Sequence, residues 1–257
     1  MTTARVERAA RKYQKALRRP KFDSLIKPSD NWNFSSVRYP RINSNSSGHG
    51  YIPGDIYANC FWYYVKPETL VVDPMACTGM AKVVYDDRST WMGEHSFDFE
   101  LRLFDLSPQS SCVIQHNLLD GFPVDNPDYI VMDVPYYGMA KDQYSEHPDD
   151  LANMNLENWL KAMDKIAIHC AAVQKPGTLC TIISPNYRDI VTRQIILITD
   201  RIRQMWESCG YVLYDKAYSS RRIQRSQTPR MAMLNNTAKT NQVLLTDMTE
   251  VLTFKRL

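Results

Sequence analysis

The stretch Asp128-Tyr129-Ile130-Val131-Met132-Asp133-Val134-Pro135-Tyr136-Tyr137-Gly138 reads DYIVMDVPYYG. A continuous apolar run of this length, with no alternation of polar residues, is the signature of a strand covered on both faces, as in a parallel sheet. It ends on a carboxylate followed by a proline and two tyrosines. Four other segments repeat the plan of an apolar run closed by a polar residue: TLVVDP (69–74), LRLFDLSP (101–108), SCVIQHNLL (111–119) and TLCTIISP (178–185). Helical periodicity separates several of them. Residues 56–65 read as a helix with aromatic residues on its buried side. Leu156, Leu160, Met163, Ile166, Ala167 and Cys170 recur at helical spacing, and a second long helix is expected over 189–208. Two final strands, YVLYDKAY and NQVLLTDMTEVLTFKRL, are expected to pair antiparallel near the sheet edge.

Strands alternating with helices predict an α/β domain with a mostly parallel sheet and helices on both faces. Ligands of such sheets bind at the C-terminal ends of the strands, near the point where strand order reverses. Asp73, Asp105, Asn117 and Asp133 are all expected there. One aspartate at a strand end is an ordinary turn former, so the weight lies on their convergence.

The first-strand loop is Asp73-Pro74-Met75-Ala76-Cys77-Thr78-Gly79. Its small residues and glycine let the backbone approach a ligand closely. It lacks both G-x-G-x-x-G and G-K-[ST], so neither the dinucleotide fingerprint nor the phosphate-binding P-loop is met. VVDPMACTG resembles the D-P-F-x-G-[ST]-G loop of the S-adenosylmethionine-dependent DNA amino-methyltransferases, and DVPYYG resembles their D-P-P-Y tetrapeptide. The two fall on the first and fourth strands in the family and on the first and fourth expected strands here.

That resemblance implies a Rossmann-like class I methyltransferase fold with a seven-stranded, mostly parallel sheet. It implies S-adenosyl-L-methionine as cofactor, held by residues 73–79, by Asp105 at the ribose and by Asn117 at the adenine, with Leu106 and Leu118 beside them; Asp120, which precedes Gly121 in a turn, competes with Asn117 for its role. GHGYIPGDI resembles the motif preceding the cofactor loop and nominates His49, Ile52 and Pro53. In the catalytic tetrapeptide Asp133-Val134-Pro135-Tyr136 the resemblance assigns Asp133 and the Val134 carbonyl as acceptors for the target amine, with Tyr136 stacking on a flipped base. Val134 stands where the family has its first proline, and Cys77 where it commonly has glycine. The implied activity is methylation of adenine N6 in double-stranded DNA. The alternatives are an RNA or N4-cytosine methyltransferase, or a silent nucleic-acid-binding relative.

Composition agrees with a soluble globular chain: 257 residues, 44% hydrophobic and 23% charged. The apolar runs are far shorter than a spanning helix needs, and the N-terminus has no apolar signal core, so no membrane partner and a cytoplasmic location are expected. Six scattered cysteines without C-x-x-C, and five histidines without H-x-x-x-H spacing, give no metal-ligand pattern. The net charge is only +3, but basic residues concentrate in 1–21 and in 221–230. Residues 1–30 are read as a basic helical extension, with a helix at 3–18, and 31–257 as the catalytic domain. Insertions near 137–155 and 219–241 are the expected target-recognition segments. The first moves over the base. Tyr137, Arg221, Arg222, Arg225 and Arg230 are the expected nucleic-acid contacts. So short a recognition region implies a brief target sequence or a homodimer.

Overall fold

The computed structural model describes residues 22–34, 38–39, 52–135, 137, 145–189, 192–220, 235–236, 238–244, 246 and 248–257. The expected helix at 3–18, His49, Tyr136 and the four arginines from Arg221 to Arg230 lie outside these residues.

The chain enters through helix α1 (Gly54–Tyr64) and then strand β1 (Leu70–Asp73). Short helices α2 (Met80–Asp86) and α3 (Arg88–Met92) lead to β2 (Glu100–Asp105) and β3 (Ile114–Gln115). Next come β4 (Tyr129–Asp133), helix α4 (Leu156–Val173) and β5 (Leu179–Pro185). A hairpin of β6 (Tyr187–Arg188) and β7 (Ile195–Ile196) precedes α5 (Ile198–Ser208), β8 (Tyr211–Ser220) and β9 (Met248–Arg256).

Seven strands form one sheet in the order β3-β2-β1-β4-β5-β9-β8. The first five run parallel, and β9 inserts antiparallel between β5 and β8. Strand order therefore reverses between β1 and β4, which defines the switch point where ligands of such sheets bind.

The apolar run that opened the sequence reading is buried on both sides, with Tyr129, Ile130, Val131 and Met132 all at 0% exposure. Side chains alternate across a strand. Accordingly Tyr129 and Val131 join Val71, Ile183 and Val251 in a cluster with α1, α2 and α3. Ile130 and Met132 join Ile182, Leu252 and Phe254 in a second cluster with α4 and α5. The helices on both faces that the alternation of elements predicted are thus present. Leu25 and Trp32 pack into the first cluster, and Trp32 donates its N–H to the Tyr218 carbonyl at 2.8 Å, so residues 30–32 border part of edge strand β8.

Three elements differ from expectation. The helix read over 189–208 begins only at Ile198, because Ile195 and Ile196 pair with Tyr187 and Arg188 instead. Here β-branched residues favour the extended ladder, and the Asp189 carboxylate accepts the Thr192 N–H to close the turn at 2.6 Å. Asn186 then fixes the helix start, its side-chain oxygen accepting both the N–H and the hydroxyl of Thr199 at 3.0 Å. The strand read over 111–119 contracts to Ile114–Gln115, since the Asn117 side chain accepts the Leu119 N–H and turns the chain into a 3-10 helix at Leu118–Asp120. The final strand begins at Met248 rather than near 241.

Candidate active site

The strand register places the expected residues as a staircase. Val72 is level with Ile130, and Asp73 with Leu103, so Asp133 on one side and Asp105 on the other each lie two residues beyond Asp73. Asp105 is level with Gln115, which puts Asn117 a further two residues along. Four neighbouring strands thus present their polar ends at one edge of the sheet.

Asp73 is fully buried at the end of β1. Its carboxylate accepts the Tyr57 hydroxyl at 2.9 Å and the Met75 N–H at 3.1 Å. Burial dominates its ionisation and pushes its pKa up to about 7, opposed by those two hydrogen bonds. Tyr57 is equally buried, and its pKa is driven well above the ordinary value by burial first, then by the charges of Asp73 and Asp133. A buried phenol therefore lies within electrostatic reach of the carboxylates that end β1 and β4.

The loop after Asp73 is tight. Pro74, Ala76, Thr78 and Gly79 are buried and Met75 and Cys77 half-buried. Cys77 takes a positive φ of 43° and Gly79 one of 79°. Gly79 caps α2, and a β-carbon there would meet the Cys112 Sγ at 2.8 Å, so both conformation and space call for glycine. Asp105 holds this loop from the neighbouring strand. Its carboxylate accepts the Cys77 N–H and the Ser107 N–H, both at 2.8 Å. Burial raises its pKa, those N–H groups lower it, and the charge of Asp150 raises it again.

Leu106 follows half-buried, its carbonyl accepting from the Gln115 side chain at 3.3 Å. Leu118 is buried, and its carbonyl meets the His169 ring at 2.9 Å. Asn117 accepts the Leu119 N–H and donates to the Asp149 carboxylate at 2.8 Å. Ile52 and Pro53 are buried at the start of α1.

At the end of β4 the backbone is pinned on both sides of one peptide. The Val134 N–H donates to the Ile183 carbonyl at 3.2 Å, and the Pro135 carbonyl accepts the Trp159 indole N–H at 2.9 Å. A proline at position 134 has no N–H to give this bond. The Val134 side chain is 1% exposed and belongs to the apolar cluster that includes Leu118, Trp159 and Met163. The departure from proline thus comes with a ladder bond and an apolar contact. Tyr137 meets Tyr187 of the β6–β7 hairpin edge to face, ring centres 4.9 Å apart. Burial, then the Asp189 charge, raises the Tyr137 pKa.

Of the expected insertion at 137–155, Tyr137 and residues 145–155 are described. Leu151 and Ala152 are buried, and Asp150 accepts the Ser145 hydroxyl and the Ala152 N–H, both at 2.9 Å. Sequence reasoning missed Tyr57, Asp149 and Trp159. Tyr57 and Trp159 sit on helices where aromatic residues read as core, and nothing local pairs Asp149 with a residue thirty-two positions earlier. No group of three or more histidine, cysteine or acidic side chains is arranged to hold a metal among the described residues, and no helix among them is long and apolar enough to cross a membrane.

No known family profile and no curated protein matches the chain. Among solved structures, TrmN from Thermus thermophilus is similar at 10% identity and TM-score 0.48, covering 80% of this chain and 49% of its own. The cyclase SpnF is similar at 13% identity and TM-score 0.48, covering 79% and 81%. An S-adenosylmethionine-dependent methyltransferase from Methanosarcina mazei is similar at 10% identity and TM-score 0.45, covering 77% and 96%. The chain spans about half the length of TrmN. Likenesses this distant speak of fold alone. The strand order and the antiparallel β9 give the chain a Rossmann-like α/β architecture.

Proposed function

We propose that the chain transfers a methyl group from S-adenosyl-L-methionine to the exocyclic amine of a flipped nucleic-acid base, adenine N6 in double-stranded DNA. The observation that carries this reading is the register that brings the 73–79 loop and the Asp133–Pro135 turn to adjacent strand ends. Those are the two segments whose sequences resemble the cofactor and catalytic motifs of the amino-methyltransferases.

The residues fit the cofactor chemically. Each Asp105 oxygen holds one backbone N–H and keeps lone-pair capacity for a ribose hydroxyl. The buried Asp73 carboxylate holds the start of its loop through the Met75 N–H, and the small residues that follow offer a closely approachable backbone to an amino-acid tail. Bound there, S-adenosylmethionine supplies a methyl group activated by its sulfonium charge.

The chain's own task is to prepare the acceptor. The lone pair of an exocyclic amine is delocalised into the ring, so hydrogen-bond acceptors must draw the nitrogen towards tetrahedral geometry. The Asp133 carboxylate and the Val134 carbonyl are those acceptors. Pinning the Val134 N–H and the Pro135 carbonyl fixes the peptide between them, so the Val134 oxygen is oriented before substrate arrives. Tyr136 stacks on the flipped base, and the arginines of 221–230 contact the phosphates.

The test is incubation with methyl-labelled S-adenosylmethionine and duplex DNA or RNA, beside an Asp133→Ala protein, followed by nucleoside analysis. Label in N6-methyladenine from DNA that vanishes in the variant is the expected result. Label in RNA alone overturns the DNA assignment, and no label in either overturns the reaction.

A further inference from the structure

The contact between Asn117 and Asp149 joins the end of β3 to the segment beyond the catalytic turn. The Asn117 amide has a determined orientation, because its oxygen accepts the Leu119 N–H and its nitrogen donates to the Asp149 carboxylate. Turning the amide over would set donor against donor and acceptor against acceptor. One amide hydrogen therefore remains to be given elsewhere.

Asp149 is just as firmly placed. Its N–H donates to the His147 ring at 3.1 Å, and the next residue, Asp150, is buried and caps the 3-10 helix at Leu151–Asn153. The Asn117–Asp149 bond ties this segment to the end of β3, and the Asp150 charge reaches Asp105 at the end of β2. Both Asn117 and Asp149 are only half-buried, so neither is sealed from solvent. Side by side they present a hydrogen-bond donor and a carboxylate acceptor.

The Watson–Crick edge of adenine carries the complement, N1 as acceptor beside the N6 amine as donor. Hypoxanthine reverses both groups, with N1–H a donor and O6 an acceptor. We propose that Asp149 is a specificity residue for the cofactor's purine, supplying the carboxylate for the N6 amine while Asn117 donates to N1. This rests on the cofactor assignment made above and extends it to a residue outside the strand-end motifs.

The test is calorimetric binding of S-adenosylhomocysteine and its deaminated analogue S-inosylhomocysteine to the wild type, Asp149→Ala and Asp149→Asn. A hydrogen bond to a charged group corresponds to a change of about tenfold or more. Asp149→Ala is expected to weaken the adenine ligand about tenfold. Asp149→Asn, whose amide can also donate to O6, is expected to cut the preference for adenine over hypoxanthine by about tenfold while retaining the fold. If the wild type binds but both variants keep its affinity and its preference, Asp149 has no such role. If the wild type binds neither ligand, the cofactor assignment itself fails, and this inference with it.

Discussion

The buried carboxylate at the end of β1 makes a quantitative prediction about stability. Asp73 has a pKa of about 7 in the fold against 3.8 for a free side chain. A group that holds its proton more tightly when folded stabilises the fold at low pH. The contribution is fully present below the unfolded pKa and is lost as pH rises through the folded one. At about 1.36 kcal/mol per unit, the shift corresponds to about 4 kcal/mol lost between pH 4 and 8. Other groups titrate in that window, so the useful quantity is the difference between the wild type and Asp73→Asn, which keeps the shape and removes the ionisation. Urea unfolding of both proteins at half-unit pH intervals gives it. The wild type should lose about 4 kcal/mol relative to the variant across the window, with the steep part ending near pH 7. A difference that stays constant with pH would refute the claim that burial of this carboxyl dominates its ionisation.

Other substitutions probe the supports of the site. Trp159→Phe removes the bond to the Pro135 carbonyl and should cost about 1 kcal/mol of stability. On the proposed function it lowers kcat about tenfold with cofactor affinity unchanged, which single-turnover and binding measurements separate. Gly79→Ala should cost about 1–2 kcal/mol from its left-handed conformation alone. The close approach to the Cys112 Sγ adds to that, and the added part, but not the conformational part, should be recovered in a Gly79→Ala/Cys112→Ala double variant by thermal melting. Asn186→Ala deletes the acceptor for the Thr199 N–H at the start of α5, with an expected loss of about 1 kcal/mol in chemical unfolding.

The sheet was legible wherever a strand is buried on both faces. In β1, β4 and β5 the apolar runs leave no alternative period, and the polar residue near the end of each run marks where the strand ends. Reading failed where a side chain overrides local pattern. The isoleucines at 195–196 and 198 continue a helical spacing on paper, but the helix start is set by Asn186, which lies on the far side of a hairpin. The strand ending at Asn117 is cut short by the cap that Asn117 itself provides. For the site, the carboxylates and amide were visible because they sit in motifs. Their partners Tyr57, Asp149 and Trp159 were not, because a hydrogen bond across elements leaves no trace in spacing.

The central claim is that the ends of β1, β2, β3 and β4 form one site for cofactor and acceptor base. A crystal structure with S-adenosylhomocysteine tests it most directly. The ribose is predicted to lie at Asp105, the purine at Asn117, and the amino-acid tail along residues 73–79 with the sulfur facing Asp133. Ligand density elsewhere on the chain, or a purine away from the end of β3, would contradict the account.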